Sequence, residues 1–267
     1  MSEFREVFKR NEIKYLLNDE QYGKLFPFLE KIARVDDYGL SRINNIYFDT
    51  PDYRLIRTSL EKPVYKEKIR LRTYGETHND TNSFIEIKKK YDGIVYKRRI
   101  AGKYIDAYNY MTGKGDMLDD SQISKEIDQF RNLYKQLIPA MTICYDRIAM
   151  AGIEDESFRV TFDTNITWDD RCLDLRWVNR KDMLIPGSRG KMITKPGQHM
   201  MEIKVTNAMP MELVRRLSEL RIFPASFSKY GRGYSDMLKE KINREYVAAG
   251  EITTSGEKVR KGAVAYV

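Results

Sequence analysis

The chain has 267 residues, enough for one large domain or two small ones, and its 42% hydrophobic and 12% aromatic content can fill a core, which excludes disorder throughout. A formal net charge of +8 and a pI near 9.2 point to anionic partners: nucleic acid, phosphorylated small molecules or anionic lipid. Cys144 and Cys172 lack CxxC or Cys/His spacing and His78 and His199 are scattered, so no zinc site is expected; with no signal-peptide core and no apolar run of about 20 residues, the chain reads as cytoplasmic, without a transmembrane segment and with reduced cysteines.

Residues 4–17 alternate as a strand does, with Phe8, Arg10, Glu12 and Lys14 on one face. Asn18-Asp19 is an N-cap signal for a helix over 20–33. A strand follows over 41–50, and Pro51 suits the start of a short helix over 52–59. Strands are predicted over 64–74, 83–90 and 94–100, with Asp92-Gly93 as a hairpin turn between the last two. Residues 102–139 read as two helical pieces broken by TGKGD at 112–116. The second carries Ile123, Ile127, Phe130, Leu133, Tyr134 and Leu137 as one apolar stripe. Strands over 140–150, 158–167 and 198–206 and helices over 210–220 and 228–244 complete the pattern. Residues 168–197 carry no clear period beyond a polar loop at Pro186-Gly187-Ser188. Residues 1–245 are therefore read as one domain and 246–267 as a flexible tail. Strands that follow one another at hairpin spacing, with helices between some of them, predict a largely antiparallel α+β fold.

The strands carry an unusual charge pattern. In VYKEKIRLRTYG, Lys66, Lys68, Arg70 and Arg72 fall on every second residue, so four cations share one face. Glu86 and Lys88, Lys97 and Arg99, Tyr145 and Arg147, Arg159 and Asp163, and Glu202 and Lys204 repeat the period on other strands. A closed barrel with a wide lumen can point these charges inward and its apolar residues toward covering helices. Packed cations repel one another, so that arrangement calls for a polyanion, and a phosphate chain supplies the charge-assisted partners. Carboxylates among the cations are candidate ligands for Mg²⁺ or Mn²⁺; Glu202 is the best of them, with Glu12, Glu86 and Asp163 as helpers. The alternative for each residue is an ordinary cross-strand ion pair.

In order, FKRNEIKYLL, KIRLRTYG, FIEIKKK, YDRIAM, FRVTFDTNI, MEIKV and SFSKYGRG resemble the polyphosphate polymerase (VTC) domain of the triphosphate tunnel metalloenzymes, a CYTH-like superfamily, over about 4–238. The resemblance implies an antiparallel eight-stranded β-barrel, the triphosphate tunnel fold, with helices packed outside. It implies that Lys14, Arg70, Arg72, Lys88, Arg147, Arg159, Lys204 and Lys229 hold phosphate during catalysis. Lys97 and Arg99 join Lys14, Arg70, Arg72, Lys88 and Lys204 as nucleotide and polyphosphate contacts, and Glu202, Glu12 and Glu86 are the metal ligands.

The implied activity is metal-dependent transfer of the γ-phosphoryl group of ATP to a polyphosphate chain, with Mn²⁺ or Mg²⁺. The alternatives are hydrolysis of tripolyphosphate or nucleoside triphosphate, and a non-catalytic polyphosphate-binding module. CYTH hydrolases open with ExExK, whereas Arg10, Glu12 and Lys14 stand here, which removes one acid and leans away from hydrolysis. The expected partners are ATP and polyphosphate. Nucleic acid is not expected, because the cations alternate within strands instead of lining an exposed aromatic sheet. The sensing domain and membrane segment of the eukaryotic polymerases are not found, so membrane attachment would need a separate membrane-protein partner. Oligomeric state is not legible.

Overall fold

The computed structural model describes residues 11–92, 94–178, 190–206 and 208–248. The chain folds as α+β, with β1 (Asn11–Asn18), α1 (Asp19–Leu29), β2 (Ala33–Asp49), α2 (Arg54–Leu60), β3 (Tyr65–Tyr74), β4 (Asn82–Tyr91), β5 (Ile94–Lys103), α3 (Tyr104–Met111), α4 (Gln122–Tyr134), β6 (Ile138–Gly152), β7 (Arg159–Asp169), β8 (Lys191–Met192), β9 (Gln198–Val205), α5 (Met211–Glu219) and α6 (Lys229–Ala248). One antiparallel sheet runs β1-β9-β7-β6-β2-β3-β4-β5, with the short β8 paired to β7. The eight long strands and outer helices agree with the expected fold. The expected closure of the barrel is not made: β1 and β5 are the two ends of the hydrogen-bonded path and are not paired with each other, so the sheet is open among the described residues. The outer edge of β1 is already occupied, because Ala225 N–H donates to the Lys14 carbonyl at 2.7 Å and Pro224 bridges Tyr15. The sheet nevertheless curls far enough for side chains to meet across it, with Lys88 Nζ on β4 3.5 Å from Glu12 Oε2 on β1.

Strand alternation decides which face is which. Ile69, Leu71, Ile85, Ile87 and Ile100 point outward and are buried under α3 and α4 with Tyr104, Tyr110, Ile127 and Phe130. Tyr15, Leu17, Val160, Phe162, Met201 and Ile203 are buried outward under α1 and α5 with Leu25, Leu29, Leu213 and Leu217. The intervening residues, which carry the charges, face inward. A one-residue slip of β3 would bury Arg70 under helices and expose Ile69 to the lumen, so the helices fix the register. A third cluster closes part of one end of the lumen: Tyr230, Tyr234 and Met237 of α6 pack on Tyr47, Met141, Ile143 and Trp168.

The N-cap is as expected: Asn18 Oδ1 accepts from Gln21 N–H at 2.8 Å, and Gln21 returns the bond to Asn18 N–H. Asp92 takes φ 42° in the two-residue turn that pairs Tyr91 with Ile94. Other expectations change. α1 ends at Leu29, not 33, where the chain already enters β2. β2 starts at Ala33, not 41, because residues 33–35 pair with the end of β6; DDYG, which carries no alternation, is the bulge between them and Leu40. β8 was not foreseen; two residues are too few for a periodic signal. Leu133 leaves the stripe of α4 and is 68% exposed, while Phe130 and Ile127 are buried as expected. Arg10, the 186–188 loop and residues 249–267 of the expected tail lie outside the described residues, and α6 continues past 245 to Ala248.

Candidate active site

Antiparallel register places the charged residues of β3, β4 and β5 on shared rungs. Arg70 lies opposite Glu86 and Glu86 opposite Arg99; Lys68 lies opposite Lys88 and Lys88 opposite Lys97; Lys66 lies opposite Lys90. Glu86 is 3% exposed. It accepts from Arg70 Nε at 2.8 Å, and Arg70 Nη2 and Lys97 Nζ each lie 2.6 Å from its oxygens. Burial alone would raise its pKa, but Arg70, Arg72 and Lys97 overcome that and hold it well below the usual carboxylate range. The Arg70 fork is completed by Nη1 donating to the Tyr47 hydroxyl at 3.0 Å. Arg72, 6% exposed, donates from Nε to Asn45 Oδ1 at 2.9 Å and from Nη2 to the Tyr145 hydroxyl at 3.1 Å. Both guanidiniums are thus locked in orientation, and two partners leave part of each five-donor fork facing the lumen.

A second buried carboxylate organises the opposite wall. Asp163 on β7, fully buried, accepts both arms of Arg147 on β6 at 2.6 and 2.8 Å and Lys229 Nζ at 2.5 Å. Burial opposes its ionisation, and Lys229 and Arg147 prevail, so it stays ionised. Lys229 reaches it because Ser228 caps α6, its Oγ accepting from Gly231 N–H at 3.1 Å, and the first turn of α6 enters the lumen. Tyr145 lies between the groups, 4.4 Å from ring centroid to Lys229 Nζ and 5.2 Å to Arg147 Cζ. Burial would raise its pKa, yet Arg72, Arg147 and Lys229 draw it down to about 8.

Glu202 on β9 faces Lys14 of β1 and Thr161 of β7 in register. Lys204 Nζ lies 2.8 Å and Lys14 Nζ 3.8 Å from its carboxylate, and these cations overcome burial to keep it ionised. Across the rung, the Thr161 hydroxyl is buried with no hydrogen-bond partner. One carboxylate, one orphaned hydroxyl and the oxygens of a bound phosphate form the donor set that suits Mg²⁺ or Mn²⁺, ions that lean on substrate phosphate and water. The three expected metal ligands do not converge: Glu86 is paired with Arg70 and Lys97, Glu12 pairs with Lys14 at 3.3 Å and Lys88 at 3.5 Å, and no group of three acidic, His or Cys side chains gathers among the described residues. Register and alternation put Glu202, Glu12 and Glu86 all on the lumen wall; Glu12 and Glu202 share Lys14, whereas Glu86 belongs to the Arg70–Lys97 cluster.

The lysine rungs are less well partnered. Burial holds Lys97 and Lys68 down to about 8 despite Glu86 beside the first and Tyr47 beside the second, and it lowers Lys88 as well. Lys68 Nζ donates to Ser228 Oγ at 3.1 Å, and Lys66 Nζ to the Ser59 carbonyl at 3.3 Å. Lys14 donates to the Phe227 carbonyl at 3.2 Å. Arg159 lies opposite Lys204 and is exposed toward the far end of the lumen, and Arg99 rests over the Phe84 ring at 4.9 Å. All the residues expected to hold phosphate therefore lie on inward-facing strand positions or, for Lys229, on the entering turn of α6.

Several lumen groups escaped the sequence reading. Asn45 and Tyr47 alternate inward on β2, but INNIYF reads first as an ordinary strand. Ser228 opens the helix predicted over 228–244, where the structure makes it the cap of α6. Tyr145 is a packed strand aromatic whose hydroxyl also holds Arg72. Lys68 sits against the N-terminus of α6.

A sequence model described as the VTC domain matches residues 9–238 of the chain. No curated protein sequence matches it. Solved structures similar to it include a candidate adenylate cyclase from Bacillus halodurans, with 13% identity, TM-score 0.47, and coverage of 82% of this chain and 95% of that one. Another, a candidate adenylate cyclase from Vibrio parahaemolyticus, has 11% identity, TM-score 0.42, and coverage of 86% and 97%.

Proposed function

This chain belongs to the VTC domain family, and on that premise we propose that it transfers the γ-phosphoryl group of ATP to the end of a polyphosphate chain held in its basic lumen. The observation that carries the reading is the state of the lumen carboxylates. Glu12, Glu86, Asp163 and Glu202 are each engaged by lysine or arginine. Among the described residues, none of these lumen carboxylates is left without a cation to take a proton from water, whereas phosphoryl transfer to a phosphate oxygen needs no base, since the nucleophile is already anionic. The terminal polyphosphate oxygen forms the new P–O bond as the bond to ADP breaks, and ADP leaves with the electron pair.

Arg70, Arg72 and Arg147 hold fixed forks for the equatorial oxygens of the transferring group, and Lys229 adds a point charge from α6. Lys14 and Lys204, which share Glu202, can turn to phosphate. Lys88, Lys97, Arg99 and Arg159 continue the cationic wall in both directions. Glu202, with the Thr161 hydroxyl, would hold a divalent ion, Mn²⁺ or Mg²⁺. Bound there, such an ion would supply Lewis-acid stabilisation of the charge that builds on the phosphate as the bond to ADP breaks. The buried, unbridged thiols of Cys144 and Cys172 accord with work in a reducing cytoplasm, and none of the described helices is long and apolar enough to cross a membrane. Delivery across a membrane would call for a membrane-protein partner.

The test is phosphate analysis and gel electrophoresis after incubation with ATP and Mn²⁺, for wild type and Glu202→Gln. Chains of polyphosphate from the wild type, and their loss in the variant with tripolyphosphate binding largely kept, support the reading. Orthophosphate alone assigns a triphosphatase instead, and binding without turnover assigns a polyphosphate-binding module.

A further inference from the structure

The corner where the β3–β4 and β4–β5 hairpins end carries an apolar surface that no helix covers. Register gathers it at one tip of the sheet: Tyr65 lies opposite Tyr91, Tyr91 opposite Ile94 and Lys89 opposite Tyr96 on the outer face, while Val95 lies opposite Lys90 on the lumen face. Asp92 N–H donates to the Val64 carbonyl at 3.0 Å and ties the neighbouring turn to it. Val64 is 65% exposed and Tyr91 56%, and Tyr65, Ile94, Val95 and Tyr96 are also exposed. The alternation that sends Ile85, Ile87 and Ile100 under α3 and α4 continues to Tyr65, Tyr91, Ile94 and Tyr96, which lie beyond those helices.

The corner is strongly cationic. Lys89 shares the outer face with the tyrosines, and Lys66 and Lys90 pair on the lumen face of the same tip, with Lys62 beside Lys66. Besides burial, Lys90 and Lys62 both press the Lys66 ammonium toward losing its proton, so these charges are close together. Glu61 and Asp92 are the exposed acids beside them, and Glu67 is buried, taken up by the Tyr65 and Tyr134 hydroxyls at 2.6 and 2.5 Å. Those two bonds also hold Tyr65 and the corner rigid.

We propose that this corner docks on an anionic lipid surface. Tyrosines with an apolar body and a polar tip, aliphatic side chains at turn ends, and lysines whose stems let the ammonium reach head groups are the combination that settles in a bilayer interface. A second copy of the chain fits poorly. The adjacent edge strand β5 carries Lys97, Arg98, Arg99 and Lys103, so edge-to-edge pairing would set cation against cation. The surface lies apart from the proposed phosphoryl-transfer residues, so it stands whether or not that reading holds. It would set the Lys66–Lys90 end of the lumen against the membrane.

Co-sedimentation of the full chain with vesicles of phosphatidylcholine, with and without phosphatidylglycerol, tests it. Wild type is expected to pellet with the anionic vesicles and little with the neutral ones. Lys89→Gln should lower partitioning by about five-fold, and Tyr91→Ser with Ile94→Ser by about ten-fold or more. Circular dichroism confirms folding of each variant, and Lys89→Gln keeps the test open should the double change unfold the hairpin. Equal partitioning of wild type and Lys89→Gln, or no pelleting with either vesicle, overturns the proposal. Binding to polyglutamate with none to vesicles overturns it in favour of an acidic protein partner.

Discussion

Lys68→Met should make the empty protein more stable and the loaded one weaker. Lys68 is held at about 8 instead of 10.5, chiefly by burial, with Lys66, Lys14 and Lys88 adding to it against the pull of Tyr47. A lysine so displaced binds its proton about 3 kcal/mol less well folded than unfolded. Partial solvent access cuts that to about 2 kcal/mol. Methionine keeps the apolar stem and removes the charge, at the loss of the bond to Ser228 Oγ, about 1 kcal/mol. The net gain is about 1 kcal/mol, or roughly 2–4 °C in melting temperature for a chain of this size. The sign with pH is fixed. The folded state binds fewer protons at this site, so the penalty is full below pH 8 and fades as pH rises toward 10.5. The advantage of the variant therefore fades by about pH 10. Tripolyphosphate should bind the variant about ten-fold more weakly, one charge-assisted bond being lost. Scanning calorimetry at pH 7 and 10, with and without tripolyphosphate, reads all of this. A variant that melts below wild type at pH 7, or that binds tripolyphosphate equally well, refutes the picture of a lysine held for an anion.

Arg72→Lys keeps the charge but cannot span Asn45 and Tyr145 while presenting a fork; kcat/KM for ATP should fall by about 2 kcal/mol, some 30-fold, and unchanged kinetics would show that orientation at this site does not matter. Glu86→Gln leaves Arg70 and Lys97 without their carboxylate, so a loss of about 3–5 kcal/mol is expected by urea unfolding, partly restored by tripolyphosphate; a loss below 1 kcal/mol would remove Glu86 as the organiser of that wall. Polyphosphate binding should take up protons above pH 8, because a phosphate chain restores Lys68 and Lys97 to the charged form. Titration calorimetry in buffers of different ionisation enthalpy measures that uptake, and affinity should fall as pH rises through 8 to 10; a pH-independent affinity over that span contradicts the assignment.

How much of this was legible depends on how local each signal is. The spacing of Lys66, Lys68, Arg70 and Arg72 announced an inward row, because period-2 alternation is a property of one segment. The antiparallel strands and the capped start of α1 were legible for the same reason. Pairing is not local. Residues 33–35 are strand only because the end of β6 lies beside them, and nothing in the DDYG bulge that follows says so. The same holds at the site. That Glu202, Glu12 and Glu86 line the lumen follows from alternation, but that Glu12 and Glu202 share Lys14 while Glu86 serves another cluster depends on where β1, β4 and β9 stand around the sheet. Asn45, Tyr47 and Thr161 were hidden because their value lies in a neighbour: an arginine to orient, or an acid across a rung.

The two kinds of cation are not distributed at random along the lumen, and the distribution bears on how a polyanion would be handled. Arg70, Arg72 and Arg147 each have their orientation fixed by named partners, so they meet a phosphoryl group without first being ordered. Lys68, Lys88 and Lys97 stand opposite one another across three strands, and burial lowers all three pKa values. Like charges in register cost stability that a fold gives up only where something repays it. A phosphate chain repays it through point charges that favour no single angle, so successive phosphates can occupy the lysine rungs and move on. On the proposed reading, the arginine forks set the geometry of the transferred group while the lysine rungs hold the chain that receives it. Affinity should then rise with polyphosphate length until the lysine rungs are filled and level off beyond that, whereas a site built only for one triphosphate would gain nothing after the third phosphate.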